Sequence, residues 1–233
     1  MRARDVMVRS VVTTTPETTV EKVARLMINL RISGVPVLNK NGRLVGIVTE
    51  GDLLRRAETG TEHRRSRWSE WFSTNSRLAA EYIKSHARRV EDVMTREVVS
   101  VGELASLGEI AELMETKRIK RVPVAHDGKI IGIVSRADLL QVLASGGATP
   151  ANEDSDRLIR ERLLAELRKQ EWASPTESSV IVSDGVVHFW GTVASEQERT
   201  ALRVVAENIP GVRSIEDHTS SGPRYLTPLF PAA

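Results

Sequence analysis

Two short stretches of the sequence place a carboxylate three residues after a hydroxyl: Asp52 after Thr49, and Asp138 after Ser135. Each stretch lies where an apolar run typical of a buried strand meets the start of a helix. A helix N-terminus offers unpaired N–H groups and a positive dipole end, which suit a phosphate. The hydroxyl can donate to that phosphate, and the carboxylate can accept from both hydroxyls of a ribose. The same pattern is also an ordinary helix cap, so both interpretations stay open.

The two stretches belong to an internal repeat. Asp5-Val6-Met7 recurs as Asp92-Val93-Met94, residues 31–37 recur as 118–124, residues 42–48 recur as 128–134, and residues 49–54 recur as 135–140. Four blocks in the same order are not expected by chance, so the two copies should fold alike and pack together.

The sequence pattern of each copy predicts the same order of elements: an extended segment, a helix, two strands and a second helix. Apolar residues at helical spacing predict helices over residues 20–27 and 107–114. The apolar runs 35–38 and 44–48 predict two strands joined by a hairpin turn at Asn41-Gly42. Capping boxes are predicted for Thr18 with Glu21 and for Ser106 with Glu109.

The repeated blocks, Asp-Val-Met, Arg-Ile-x-x-Val-Pro-Val, Gly-x-Leu/Ile-x-Gly-Ile-Val and Thr/Ser-x-x-Asp-Leu-Leu, resemble the CBS domain in tandem, an arrangement called a Bateman module. The resemblance implies a pseudo-twofold pair of small sheets with two helices each. It also implies a cleft that binds adenine nucleotides or related adenosyl ligands, a regulatory role, and a homodimer. It assigns ribose binding to Asp52 and Asp138.

We expect the two candidate sites to differ in strength. Glu50 would repel a phosphate at the first site, whereas Arg136 can hold one with two hydrogen bonds at the second. The stronger predicted site comprises Ser100, Lys120, Arg121, Val122, Pro123, Ser135, Arg136 and Asp138. The weaker predicted site comprises Thr13, Gly34, Val35, Pro36, Thr49 and Asp52.

A third region follows a segment of flexible-linker composition. A helix is predicted over 158–167, strands over 180–182 and 186–190, a helix from Ser195 to Ile209, and a strand over 212–215. With Val186-x-x-x-x-Gly191-x-Val193 and Gly211-Val212-x-x-Ile215, this region resembles the BON domain, a family associated with membranes or other macromolecules. Residues 153–222 hold 13 acidic and 8 basic residues, which disfavours an anionic membrane surface.

The segment between the repeats is basic and aromatic. Residues 55–90 hold nine basic and four acidic residues, together with Trp68, Trp71, Phe72 and Tyr82. Such a segment can bind nucleic acid, but no nucleic-acid fold accompanies it, and a helical connector is the favoured interpretation. The acidic BON region could also pack against this basic insert, within one chain or across a dimer.

The sequence lacks the residues and motifs that several classes of enzyme and metal site require. The sequence has no cysteine, no phosphate loop and no nucleophile elbow, and its five histidines show no metal-ligand spacing. His188 is interpreted as a packed or surface histidine. We therefore expect no catalytic residue, no metal and no enzymatic activity. The formal charge is +2, and no leader or membrane-length apolar run is present, which predicts a cytoplasmic protein.

These observations predict a mixed α/β (α+β) protein that senses an adenosine-containing nucleotide without a tightly bound cofactor. AMP, ADP and ATP are the candidate ligands, with the BON domain as relay or as the site of an unknown protein partner. The alternatives are a nucleic-acid-associated protein that uses the insert, and an assembly protein with vacant CBS clefts. The predicted boundaries are CBS domains at 1–57 and 89–145, insert 58–88, linker 146–153, BON-like domain 154–222 and tail 223–233.

Overall fold

The structure is a computed structural model that describes residues 1–54, 82–83, 85–146, 152–173 and 178–221. Most of the basic insert, including Trp68, Trp71 and Phe72, lies outside the described residues, as does the tail. Two compact units are present. Among the described residues, one unit comprises residues 12–98, and the other comprises residues 1–11 and 99–221.

The unit of residues 12–98 contains the first copy of the repeat. Its elements are α2 (Val20–Asn29), β1 (Gly34–Leu38), β2 (Leu44–Thr49), α3 (Glu50–Leu53) and α4 (Val90–Val93). Strands β1 and β2 form an antiparallel pair with Gly34 opposite Thr49. The fully buried side chains of Val23, Val35, Val37 and Val48 form the centre of its core.

The second copy lies in the other unit with the N-terminal helix α1 (Ala3–Val6). Its own elements are α5 (Leu107–Thr116), β3 (Arg121–His126), β4 (Lys129–Ser135) and α6 (Arg136–Ala144). Strands β3 and β4 repeat the first hairpin, with Arg121 opposite Ser135. Ile110, Met114, Val122 and Val134 are buried in its core.

The Asp-Val-Met blocks pack against glycines of the repeated strands. Met7 covers Gly132 in one unit and Met94 covers Gly46 in the other, so closely that a Cβ on either glycine would overlap the methionine side chain. Backbone bridges between Val8 and Ile133, and between Thr95 and Ile47, continue each contact. Residues 1–11 therefore complete the unit of the second copy, and residues 88–98 that of the first.

The C-terminal region shares a unit with the second copy. It comprises α7 (Glu153–Leu167), β5 (Ser178–Ser183), β6 (Val186–Val193), α8 (Glu196–Glu207) and β7 (Ser214–Ser221). The sheet has β6 in the centre, antiparallel to β5 and parallel to β7. One face packs on the two helices through Val187 and Phe189. The other face packs on the second copy through Ile181 and Trp190.

The predicted mixed fold and element order are confirmed, with shifts at element ends. Helix α2 is capped by Thr19, not Thr18, because the Thr18 hydroxyl bonds the Thr15 hydroxyl instead. The predicted Ser106–Glu109 box is confirmed. Helix α7 begins at Glu153 rather than Leu158, and β7 covers 214–221 rather than 212–215. The short helices α1 and α4 were not predicted, since four residues are too few for a helical pattern.

Candidate functional site

The first candidate corner is the junction of β2 and α3. The backbone N–H and the hydroxyl of Thr49 both donate to Oδ2 of Asp52, at 2.9 and 2.8 Å. Thr49 has an extended backbone, so the chain turns sharply into the helix at this residue. The carboxylate therefore caps the start of the helix, which is one of the two interpretations of this sequence pattern.

The second corner, between β4 and α6, repeats this geometry. The backbone N–H and the hydroxyl of Ser135 donate to Oδ2 of Asp138, at 2.6 and 2.7 Å. At each corner, both of these hydrogen bonds are accepted by Oδ2 of the aspartate. One oxygen of each carboxylate thus serves the cap, and the other has acceptor capacity for a ligand hydroxyl.

The extended segments before each helix lie beside the proline-containing strands. The N–H of Thr14 donates to the carbonyl of Pro36 at 3.0 Å, and that of Val101 donates to Pro123 at 3.0 Å. Gly34 pairs with Thr49 and Arg121 pairs with Ser135, so the start of each proline-containing strand lies beside the corner. Each predicted set falls within a single unit: Thr13, Gly34, Val35, Pro36, Thr49 and Asp52 in one, and Ser100, Arg121, Val122, Pro123, Ser135 and Asp138 in the other.

The two corners carry different charges at the first residue of the helix, which is Glu50 at one and Arg136 at the other. Glu50 donates its N–H to the carbonyl of Ser33, and Arg136 donates its N–H to the carbonyl of Lys120. Glu50, Arg136 and Lys120 all have exposed side chains. The first corner therefore has an exposed acidic side chain, that of Glu50. The second corner has two exposed basic side chains, those of Arg136 and Lys120.

The corners differ in burial, which the sequence did not reveal. Asp138 is 6% exposed, whereas Asp52 is only partly buried. Burial raises the pKa of Asp138 above its ordinary value, opposed by the hydrogen bonds from Ser135 and by the charge of Arg160. Charge thus favours anion binding at the second corner, while accessibility favours the first.

Arg160 of α7 is the functional candidate that sequence reasoning missed. Its guanidinium is buried and donates to the carbonyls of Val180 at 2.8 Å, Arg4 at 3.1 Å and Met7 at 3.0 Å. It therefore links the C-terminal region to the segment that completes the second copy. In the sequence, Arg160 is followed by Glu161 and Arg162. The sequence pattern therefore did not distinguish it from the solvent-exposed charged residues of the same helix.

Family models match most of this architecture. The model described as CBS domain matches residues 3–58 and 90–145, and the model described as BON domain matches residues 155–223. The chain is a tandem CBS-domain protein with a C-terminal BON domain. Among the described residues of this CBS–BON protein, none of the helices has the length and apolar character that crossing a bilayer requires.

Known relatives match mainly over part of the CBS–BON protein. A Methanocaldococcus jannaschii protein named Uncharacterized protein MJ1426 is 32% identical over 160 residues, which are 61% of this chain and 91% of that protein. An inosine-5'-monophosphate dehydrogenase from the same organism is 29% identical over 141 residues, 60% of this chain but only 23% of the enzyme. The crystal structure of CBSX2 in complex with AMP matches with a TM-score of 0.54 and 26% identity, over 62% of this chain and 97% of that one.

Proposed function

We propose that this CBS–BON protein is a non-catalytic regulator that binds an adenosine-containing nucleotide at its two hydroxyl–carboxylate corners. The observation that carries the proposal is the geometry repeated in both copies. A strand ends at a residue with a hydroxyl group, and that hydroxyl donates to an aspartate in the first turn of the following helix. The similarity to CBSX2, whose crystal structure contains AMP, supports an adenine nucleotide as the ligand class.

The two side chains of a corner would divide the ligand between them. Oδ1 of the aspartate accepts from a ribose hydroxyl, while the Thr49 or Ser135 hydroxyl turns from the carboxylate to the phosphate. At the second corner, the nine-residue helix α6 adds its N-terminal dipole, and Arg136 adds a charge-assisted bond. The apolar strand residues at Val35-Pro36 and Val122-Pro123 would flank the purine.

The BON domain would act as the relay, because it packs on the unit that holds the second corner. Asp138 is buried where Arg160 docks the BON domain onto residues 4–7. A nucleotide that needs Asp138 accessible would therefore bind more weakly while the BON domain is docked. By linkage, the same nucleotide would favour the undocked BON domain, which could then bind a partner. A cytoplasmic location and a homodimer through the CBS pair are parts of the same proposal.

The test is nucleotide binding by the full chain and by variants of each corner. Calorimetric titration with AMP, ADP and ATP should show saturable binding. The Asp138→Ala change should weaken it more than Asp52→Ala, because Arg136 makes the second corner the better anion site. Glu112→Ala, on the exposed surface of α5, is the control and should bind like the unaltered chain. Binding that neither aspartate variant alters, or no binding by any of the three nucleotides, would refute the proposal.

A further inference from the structure

A second group of polar side chains lies on the BON sheet and includes no residue of either corner. Strands β6 and β7 run parallel, with His188 opposite Glu216 and Trp190 opposite His218. Because side chains alternate along a strand, all four project from one face, opposite to the face that packs on α7 and α8. His188 is buried, whereas Glu216 and His218 are accessible from solvent.

Three nitrogen and oxygen atoms of this group nearly form an equilateral triangle. Nδ1 of His188 lies 3.2 Å from Nε2 of His218, and Oε2 of Glu216 lies 3.3 Å from the first nitrogen and 3.4 Å from the second. Tetrahedral zinc with bonds of about 2.0–2.1 Å requires donors about 3.3–3.4 Å apart. The three atoms therefore already have the spacing of three corners of such a tetrahedron.

We propose that His188, Glu216 and His218 bind one divalent transition-metal cation of the zinc class. Two imidazole nitrogens and one carboxylate oxygen are a ligand set that zinc accepts, whereas Mg²⁺ and Ca²⁺ prefer oxygen ligands alone. The exposed side of Glu216 and His218 leaves the fourth position open to water. This revises the expectation of no metal, which rested on spacing along the chain. The donors come from strands that are neighbours in the sheet but 28 residues apart.

The surroundings suit an ordered site. The Trp190 ring stacks on His218, with centroids 4.1 Å apart and planes 19° from parallel, which restrains the imidazole. Strand β7 lies at the sheet edge with most of its side chains exposed, and Ile215 is its contact with the helical core. A cation shared by His188 of β6 and two residues of β7 would hold the edge strand in register.

The experiment uses the full chain, purified without a histidine tag and freed of metal with a chelator. Zn²⁺ is titrated by calorimetry, and Co²⁺ replaces it so that its visible spectrum reports the ligands. We expect one Zn²⁺ per chain, a tetrahedral cobalt spectrum, and a higher unfolding temperature with Zn²⁺. Glu216→Gln and His218→Gln should each weaken zinc binding by at least about tenfold. Both positions are partly exposed, so the fold should tolerate these near-isosteric changes.

His126→Gln is the matched control, since His126 is exposed at the end of β3 beside Asp127. It should bind zinc like the unaltered chain. If no cation binds at one equivalent, or if Glu216→Gln and His218→Gln bind it unchanged, the three residues form only a hydrogen-bonded cluster and the proposal is wrong. The outcome is independent of nucleotide binding, which is measured on the same variants with AMP.

Discussion

Replacing Arg160 with methionine is the sharpest test of how the BON domain is attached to the second CBS copy. The guanidinium satisfies three carbonyl oxygens, two of them in the N-terminal segment that completes this copy. Methionine keeps much of the apolar stem and removes all three donors. The change should therefore loosen the docking while leaving the BON core, which is centred on Leu163 and Phe189, intact.

The magnitude follows from two opposing effects. Hydrogen bonds from a charged donor contribute about 1.5–3 kcal/mol each, so three of them contribute ~5–9 kcal/mol. Burial lowers the pKa of Arg160 to about 10, which corresponds to ~3 kcal/mol against the charged form. The variant recovers that cost because it buries no charge. Two of the three bonds reach residues 4 and 7, whereas the bond to Val180 lies inside the BON domain. About two thirds of the net loss therefore concerns docking, ~1–4 kcal/mol.

Hydrogen exchange read by mass spectrometry measures this loss directly. Peptides covering residues 1–8 should exchange faster in Arg160→Met, by a factor of ~30 for a loss of 2 kcal/mol. Arg203→Met is the control, since Arg203 forms an exposed pair with Glu207 on α8. It makes the same substitution and should leave the exchange of residues 1–8 unchanged.

The same variant tests the relay. In an Asp52→Ala background, which isolates the second corner, Arg160→Met should strengthen AMP binding by about tenfold, because undocking makes Asp138 accessible. Exchange that is unchanged in residues 1–8 would refute the docking role of Arg160. Faster exchange with equal or weaker AMP binding would refute the competition between docking and nucleotide.

Three further predictions concern single groups. Gly132→Ala should lower the free energy of unfolding of its unit by ~1–3 kcal/mol, measured by denaturant titration, because the new Cβ overlaps Met7. Asp156→Ala should destabilise the BON domain by ~2 kcal/mol or more in the same assay, since its carboxylate accepts the N–H groups of Asp184 and Gly185 at 2.8 Å each. Burial raises the pKa of Asp138, so this carboxylate becomes protonated at a higher pH than usual and then accepts less well from a ribose hydroxyl. The affinity for AMP, measured by calorimetry in the Asp52→Ala variant, should therefore fall as the pH drops through that raised pKa. Adding Asp138→Asn should remove this dependence on pH.

The repeat predicted the hairpins and corners because their signals are local. Apolar runs, Asn41-Gly42 and the hydroxyl–carboxylate spacing each act within a few residues, and the structure has them where the sequence indicates. The location of the Asp-Val-Met blocks could not be predicted in the same way. Met7 and Met94 both follow an Asp-Val pair, and Gly46 and Gly132 both precede an Ile-Val pair. Sequence similarity therefore cannot tell which methionine covers which glycine.

The burial of Asp138 shows the other limit. Asp52 and Asp138 stand in matching motifs and make matching hydrogen bonds, yet only the second lies in the unit that carries the BON domain. Its environment depends on Arg160, which lies in a different domain and on a helix with many other charges. Desolvation of this kind is set by tertiary packing, and no pattern within either motif encodes it.

In the proposed function, this difference in burial gives the two matching motifs different roles. If both corners bound nucleotide without affecting anything else, occupancy would not be transmitted, because a ligand with equal affinity for two states shifts neither. In the proposed function, docking of the BON domain beside Asp138 would supply the difference in affinity that a sensor requires at one corner. The accessible corner at Asp52 lacks such a partner among the described residues of its unit, so its occupancy should follow nucleotide concentration without moving the BON domain. Measuring hydrogen exchange of residues 1–8 with saturating AMP in Asp52→Ala and in Asp138→Ala separates the two uses, since only the first variant should show AMP-dependent release.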